Sequence, residues 1–549
     1  RVSPTGVGLR RGYKAFNAAL RSLYGRELLT LAEGGRPFDF DDALFDEAAK
    51  TVYQNGGFDV SCLTEPQAQA LINETLRVID TAVGSALPHE VPDTIRYALE
   101  NNAFVFSGFK TFHALREVGL SMLTEKGDIK PFGEFLTDVK QINAQYNHNY
   151  LYAEYNHALG AAQMAAKWHD FEQDGDKYNL QYRTAGDDKV REEHAILNGT
   201  TLPPSDPFWD MFLPPNGWNC RCTAVQVRKN KYPVSDPELA MKRGQNCTEG
   251  TKKAIFRYNA GKSLQLFPPK HPYFKAPAEA KQVIEQVTEE AIREKRIGTL
   301  REQLPDTLTD TEKDAIAANN YELEQALGIM VGKPMTMEEA DKQSANPAYV
   351  PKFLIDEAGM YRDKHARYRL NPAYDKKRDE PNGINCQTCA PAYALRLMGF
   401  NVTAKPNTRG SKLEYLSRGM QCWEAWKNTD GTPAQHTSLN GWLEAKGYQK
   451  VTSKRYLQFF DEVCKEVGVY ELSIGWKGGG GHATILQRFA DGALRYIEPQ
   501  ADNSEGSGYE WKNLEYLANE GATKNHVCRG IMRIDNKLFN VGFIDIFNK

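Results

Sequence analysis

Apolar residues recur every three or four positions through the first third of the chain. Ala43, Leu44, Ala48, Ala49 and Val52 form one stripe, and Ala68, Ala70, Leu71, Leu76, Val78 and Ile79 another. That spacing marks helices with one buried face, so residues 41–170 are expected to be mainly α-helical. Thr64-Glu65-Pro66-Gln67 reads as a helix start, because proline is tolerated at an early position whose N–H has no intrahelical acceptor. Phe135, Ile142, Tyr146, Tyr150, Leu151, Tyr155, Ala158, Ala161, Ala165 and Trp168 carry the pattern on as one or two long aromatic helices. Ahead of them, Arg10, Arg11 and Lys14 precede Phe16, Ala19, Leu20 and Leu23, which allows one amphipathic helix. The basic start and Gly34-Gly35-Arg36-Pro37 favour an exposed tail over residues 1–40.

At Tyr178 the period changes to two. Residues 178–184 and 223–227 alternate like strands and bracket a Pro-rich loop system. Residues 231–345 read as a helical connector: Ala280, Val283, Ile284, Val287, Ala291 and Ile292 form one stripe, and Thr309 with Glu312 gives a helix cap signal. After Asn346-Pro347, helices are expected at 423–426, 439–446 and 456–466. Strands are expected at 400–404, 469–475, 482–489 and 493–497, with Asp491-Gly492 as the turn of a hairpin. Helices followed by an antiparallel sheet make the last part α+β. The expected order is a tail at 1–40, a mainly helical domain with a small β/loop subdomain at 41–230, a connector at 231–345 and an α+β domain at 346–549.

A length of 549 residues fits such a multidomain chain. The net charge of −3 gives no reason to expect non-specific nucleic-acid binding, so DNA contact is expected to be indirect only. No apolar run is long enough to cross a membrane. Nine cysteines are too sparse for a disulfide scaffold and suit synthesis in a reducing cytoplasm. Cys62, Cys247, Cys422, Cys464 and Cys528 read as inert buried thiols. Arg1-Val2-Ser3-Pro4 lacks an initiator methionine and an apolar signal core, as in a processed or partial N-terminus.

The loop system carries Asp187-Asp188-x-Val190-Arg191, His194, Asn198-Gly199 and Asp206-Pro207-Phe208-Trp209. It ends in Pro214-Pro215-Asn216-Gly217-Trp218-x-Cys220-Arg221-Cys222. This set resembles the phage Mu F-like head morphogenesis domain, back to about residue 41. The resemblance implies a minor capsid protein near the portal of a tailed phage or prophage, with portal and capsid proteins as partners. It also implies assembly in the bacterial cytoplasm followed by residence in the virion head. Asp188, His194, Cys220 and Cys222 are candidate Zn²⁺ ligands by residue type. The rival reading is a loop held by Trp209 and Trp218, with buried thiols and no metal.

The last domain carries Asn385-Cys386-Gln387-Thr388-Cys389 before a helical pattern, Gly478-Gly479-Gly480-Gly481-His482-Ala483, and Tyr496-Ile497-Glu498-Pro499-Gln500. A thiol attacks as thiolate and needs its pKa lowered, which a helix N-terminus and a neighbouring imidazole both do. A third side chain fixes the ring's orientation. His482 opens one strand of the hairpin and Glu498 ends the next, so both can lie at one end. The expected unit is Cys386, His482 and Glu498, with Gln500 or Asp502 as alternative orienters. Asn385 or Gln387, with the Cys386 N–H, would hold an oxyanion. No cofactor is needed. Because Pro391 is best tolerated in a first turn, a helix capped at Thr388 would make Cys389 the nucleophile instead. A Cys386–Cys389 disulfide would silence the unit until a reducing cytoplasm opened it. The four glycines would let substrate backbone approach or form a flap.

Asn-Cys-x-x-Cys-x-x-x-Tyr, Gly-His-Ala and Glu-Pro-Gln, over roughly residues 380–520, resemble the papain-fold toxin domains of bacterial polymorphic toxins, which Mu F-like domains are known to carry. The family usually has Asp-Pro-Gln where this chain has Glu498-Pro499-Gln500. The resemblance implies a glutamine deamidase or peptidase that acts on a host protein after delivery into a target cell and is countered by an immunity protein. The alternative is a purely structural head protein with an inactive C-terminal docking domain.

Overall fold

Helix α1 (Pro4–Tyr24) occupies most of the stretch that the sequence assigns to an exposed tail. Tyr13, Leu20 and Tyr24 are buried, and the Tyr24 hydroxyl donates to the Glu154 carboxylate at 2.6 Å. The correction has a simple cause: the aromatic positions recur at helical spacing, and the basic residues among them hide the stripe. The computed structural model describes residues 4–25, 37–125, 128–336, 339–340, 345–349, 360–362, 368–370, 381–418, 421–477, 481–500, 514–524 and 526–549. Asp502 and glycines 478–480 therefore lie outside the described residues. The chain divides into two compact units, Arg1–Ile292 and Arg293–Lys549, and this division falls inside the stretch expected to be a separate connector.

In the first unit α2 (Asp42–Gln54) starts where Asp41 accepts the Ala43 N–H, and α3 (Pro66–Ala86) has Pro66 as its first residue. Helix α4 (Asp93–Ser121) follows. Helices α5 (Phe132–Asn143) and α6 (Leu151–Asp174) are joined by a π-helical segment, Ala144–Tyr150, so the long aromatic pattern forms a near-continuous rod. Phe45, Leu71, Phe106, Leu151 and Ala158 belong to one core; burying each large apolar side chain contributes about 1.5–3 kcal/mol. One charge pair lies inside that core. Lys110 Nζ donates to Glu154 at 2.5 Å and to the Tyr146 carbonyl at 2.7 Å, with both charged side chains essentially excluded from solvent.

The β/loop part of this unit is a three-stranded antiparallel sheet. Strand β1 (Tyr178–Arg183) is central, followed in sequence by a one-turn helix α7 (Glu192–Ala195), β2 (Thr201–Leu202) and β3 (Thr223–Arg228), in the order β2–β1–β3. Gln181 pairs with Thr201 on one side and Val225 on the other. Trp209 and Trp218 are both buried.

Helix α8 (Ala278–Glu302) runs past the expected end of its stripe. Helix α9 (Asp310–Leu327) opens on a complete capping box between Thr309 and Glu312. The second unit is built on a four-stranded antiparallel sheet. Its elements in sequence are α10 (Cys386–Leu397), α11 (Leu439–Ala445), α12 (Ser453–Val463), β4 (Gly468–Trp476), β5 (Gly481–Arg488), β6 (Leu494–Ile497), α13 (Leu514–Ala522) and β7 (His526–Arg533). The strand order is β6–β5–β4–β7. Two cores divide the sheet's side chains. Tyr393 and Leu395 of α10 pack with Ile485 and Ile497. Trp442, Tyr456, Phe459 and Leu517 of α11–α13 pack with Leu472 and Leu486.

Three strands and their hairpin follow the alternation in the sequence, with Gly492 at φ 84° in the turn, a conformation that favours glycine. The fourth, β7, has no clean alternation: its ladder with β4 shifts register between Cys528 and Gly530, and such an irregularity breaks a period of two. The helix expected at 423–426 is a 3₁₀ turn, Gln421–Ala425, leading into a short strand, Trp426–Lys427. Among the described residues no helix is long and apolar enough to cross a membrane.

Candidate active site

Helix α10 begins at Cys386, not after Thr388. The Asn385 carbonyl accepts the N–H groups of Thr388 (3.0 Å) and Cys389 (3.2 Å), which makes Asn385 the cap and Cys386 the first helical residue. Pro391 sits in the second turn. The Cys386 and Gln387 amides precede these bonds and have no intrahelical acceptor, so Cys386 lies at the positive end of the helix dipole. Gly399 ends the helix at φ 97°. The Gly399 N–H reaches the Arg396 carbonyl and the Phe400 N–H the Leu395 carbonyl, a Schellman closure. A Cβ on Gly399 would stand 2.3 Å from the Gly332 carbonyl oxygen, so only glycine fits there.

His482 lies on β5, paired with Ile474 of β4. Its Nε2 meets Glu498 Oε2 at 2.6 Å, and Cys386 is the other neighbour that acts on the same ring. With Nε2 engaged by the carboxylate, Nδ1 is the nitrogen left for the thiol. The ring is 11% exposed and Glu498 5%. Burial alone would push the His482 pKa down. The Glu498 charge, the hydrogen bond to Glu498 and the neighbouring Cys386 outweigh it and hold the pKa well above the ordinary histidine value, which favours imidazolium.

Glu498 is itself fixed. Its Oε2 accepts the Tyr496 hydroxyl at 2.7 Å, and its Oε1 accepts the Gln500 N–H at 3.1 Å. Gln500 therefore does not take the orienting position. Its side-chain amide donates to Asn385 Oδ1 at 3.2 Å, and its carbonyl accepts from Asn346. Asn385 is corrected in the same way as an oxyanion donor. It is fully buried, and its amide nitrogen is spent on Asn346 Oδ1 (3.0 Å) and the Lys405 carbonyl (3.1 Å). Gln387 is half-buried at the helix start. The Cys386 and Gln387 N–H groups lie at the open start of the helix, where no preceding turn supplies an acceptor.

Cys389 lies one turn deeper with no exposure. Burial, then the neighbouring Cys386 and Glu498, push its thiol well up, which disfavours its thiolate. All nine cysteines are free thiols.

Two residues of this cluster carry no catalytic signal in the sequence. Tyr496 is legible in hindsight from its spacing, since Tyr-x-Glu on a strand puts both side chains on one face. Asn346 lies 39 residues before Asn385 and is brought in only by folding. Asn385→Ala is expected to take a hydrogen-bond partner from Asn346 Oδ1, the Gln500 side-chain amide and the Lys405 carbonyl. At about 1–3 kcal/mol for each buried unsatisfied group, this should lower the thermal midpoint of the second unit, read by differential scanning calorimetry.

In the first unit the structure gathers His194, Cys220 and Cys222, and leaves Asp188 exposed and apart. Asp188 is therefore corrected as a candidate ligand. It is the neighbouring Asp187 that has a fixed role, in a bidentate pair with Arg221 at 2.6 and 2.7 Å.

Residues 132–225 are similar to phage Mu F-like domains. They match the family model described as Phage Mu protein F like protein, over a shorter stretch than the resemblance from about residue 41. The chain is 29% identical over 166 residues to the Mu-like prophage FluMu F protein of Haemophilus influenzae, covering 29% of this chain and 39% of that protein. It is 48% identical over 42 residues to the "Putative capsid assembly protein F" of Escherichia phage Mu, covering 8% of this chain and 10% of that protein. The chain thus spans well under half the length of either relative. No solved structure matches.

Proposed function

We propose that the chain is a phage or prophage head protein that carries a cysteine-dependent amidohydrolase in residues 346–549. Cys386 is the nucleophile, His482 the acid–base and Glu498 the group that orients the ring. The observation that carries this reading is the His482 imidazole, held by Glu498 beside Cys386 at the first residue of a helix. The Mu F-like domain at 132–225 supports the head-protein half, with portal and capsid proteins as partners. The order Asn-Cys-x-x-Cys, Gly-His-Ala, Glu-Pro-Gln supports a papain-like effector half, with a host protein as substrate and an immunity protein as its antagonist.

The reaction runs through a thioester. The Cys386 thiolate attacks a carbonyl carbon, and the resulting oxyanion is held by the Cys386 and Gln387 N–H groups. The C–N bond breaks as the His482 imidazolium gives its proton to the leaving nitrogen, which departs as ammonia from a glutamine side chain or as an amine from a peptide bond. Water, deprotonated by the now neutral ring, hydrolyses the thioester to the acid and returns the thiol. No step calls on a cofactor.

The test uses the full chain. Brief exposure to an alkylating probe should modify Cys386 first, as mapped by peptide mass spectrometry, and Cys389→Ser should label like the parent. Expression in a bacterial cytoplasm should arrest growth, and Cys386→Ala should relieve the arrest. Preferential labelling of Cys389 would move the nucleophile. Equal behaviour of parent and Cys386→Ala in both assays would leave the purely structural head protein as the reading.

A further inference from the structure

Outside the thiol–imidazole pair of the second unit, one other cluster of soft ligands stands out among the described residues. Nδ1 of His194, at the end of the one-turn helix α7, lies 3.5 Å from Cys220 Sγ and 3.6 Å from Cys222 Sγ. The three ligand atoms all fall within 4.8 Å of one another. Hydrogen bonding does not explain this convergence well. A single ring nitrogen carries either one proton or one lone pair, so it serves one sulfur at a time, and here two sit equidistant from it.

A tetrahedral ion does explain it. With Zn–S near 2.3 Å and Zn–N near 2.0–2.1 Å, the edge between a sulfur and a nitrogen ligand of a tetrahedron comes to about 3.6 Å. Both N–S separations have that length, before any metal has drawn the side chains together. The surroundings hold the ligands in place. Arg191 Nη2 donates to the Trp218 carbonyl at 2.5 Å, and Asn156 donates to the Asn219 side chain at 2.9 Å. Asn219 itself takes φ 56°, turning the backbone so that the next residues, Cys220 and Cys222, face His194. His194 and Cys220 are buried and Cys222 is half-buried, so the open side of the cluster is the Cys222 side.

We infer that His194, Cys220 and Cys222 form a Zn²⁺ site with three protein ligands and a fourth position open to water. Binding takes Nδ1 of a neutral imidazole and two thiolates and releases two thiol protons. The bound ion ties the short helix α7 to the residues entering β3, and so closes the Pro-rich loop system between β1 and β3. Two thiolates and an imidazole select Zn²⁺ over hard cations such as Mg²⁺ or Ca²⁺.

The test is metal content in the reduced full chain, made in a Cys386→Ala/Cys389→Ala background so that the thiols of the second unit contribute nothing. After zinc loading and desalting, elemental analysis should find about one Zn²⁺ per chain. Cys220→Ser/Cys222→Ser should hold less than a tenth of that, and Asp188→Ala should hold all of it. Cys222→His keeps a ligand at the position and should retain the ion, which separates loss of a ligand from loss of the fold. Co²⁺ in place of zinc should give thiolate charge-transfer absorption that weakens in Cys222→His and vanishes in the double serine variant. Failure of the reduced chain to retain zinc would overturn the site, as would full retention by the double serine variant.

Discussion

His482→Ala is expected to slow alkylation of Cys386 at neutral pH and to reduce any Cys386-dependent hydrolysis by a factor on the order of 10²–10⁴, the usual contribution of a positioned acid–base group. Glu498→Gln should have a smaller effect with a distinct signature. The amide still accepts a hydrogen bond but removes the charge, and that charge is the first of the influences holding the His482 pKa up against burial. The imidazolium form should then be lost at lower pH. The pH–rate profile of alkylation should move its basic limb downward in Glu498→Gln. A profile unchanged in Glu498→Gln would show that the carboxylate does not act on the ring.

Stability should follow the same sign. The folded pKa of His482 lies above its unfolded value of about 6.5. Its contribution to folding is therefore complete below about pH 6.5 and is lost as pH rises through the folded pKa. The gap in stability between the parent and Glu498→Gln should be widest near pH 6 and narrow toward alkaline pH, as read by denaturant unfolding at a series of pH values.

The residues of this cluster were legible to different degrees, for physical reasons. Cys386, His482 and Glu498 could be placed together from order alone, because a helix start and the two arms of a hairpin bring fixed positions to one place. The helix start itself was open in the sequence, since Pro391 argued for a later cap. Folding resolves it through the Asn385 carbonyl, which accepts the Thr388 and Cys389 N–H groups. Asn385 and Gln500 looked like chemistry because amides suit an oxyanion or a histidine. Their partners are Asn346 and Lys405, distant in sequence, and they turn both amides into a buried clamp that no local pattern reveals. In the first unit His194, Cys220 and Cys222 were recognisable by residue type. Asp188 had the same chemical claim, and only the turn that exposes it sets it aside. Helix α1 was hidden by arginine and lysine among its aromatic positions, and β7 by its register shift.

Lys110→Met should be the most damaging single change in the first unit. Lys110 and Glu154 are 1% and 0% exposed. Burial pulls the Lys110 pKa down, and Glu154 opposes that pull. Removing the ammonium leaves Glu154 buried with only the Tyr24 hydroxyl on its other oxygen. Breaking a buried pair in this way costs about 3–5 kcal/mol, whereas an exposed pair such as Lys262–Asp210 contributes about 0–1 kcal/mol. Lys110→Met/Glu154→Leu removes both charges and fills the space with apolar atoms, so it should recover most of the loss, since a pair replaced whole is often neutral. Hydrogen exchange reads the effect unit by unit. The amides of α4 and α6 should lose protection in Lys110→Met and regain it in the double variant, while those of β5, in the other unit, stay unchanged. A double variant no more protected than Lys110→Met would mean that the pair itself, and not the stranded carboxylate, supplies the stability of this core.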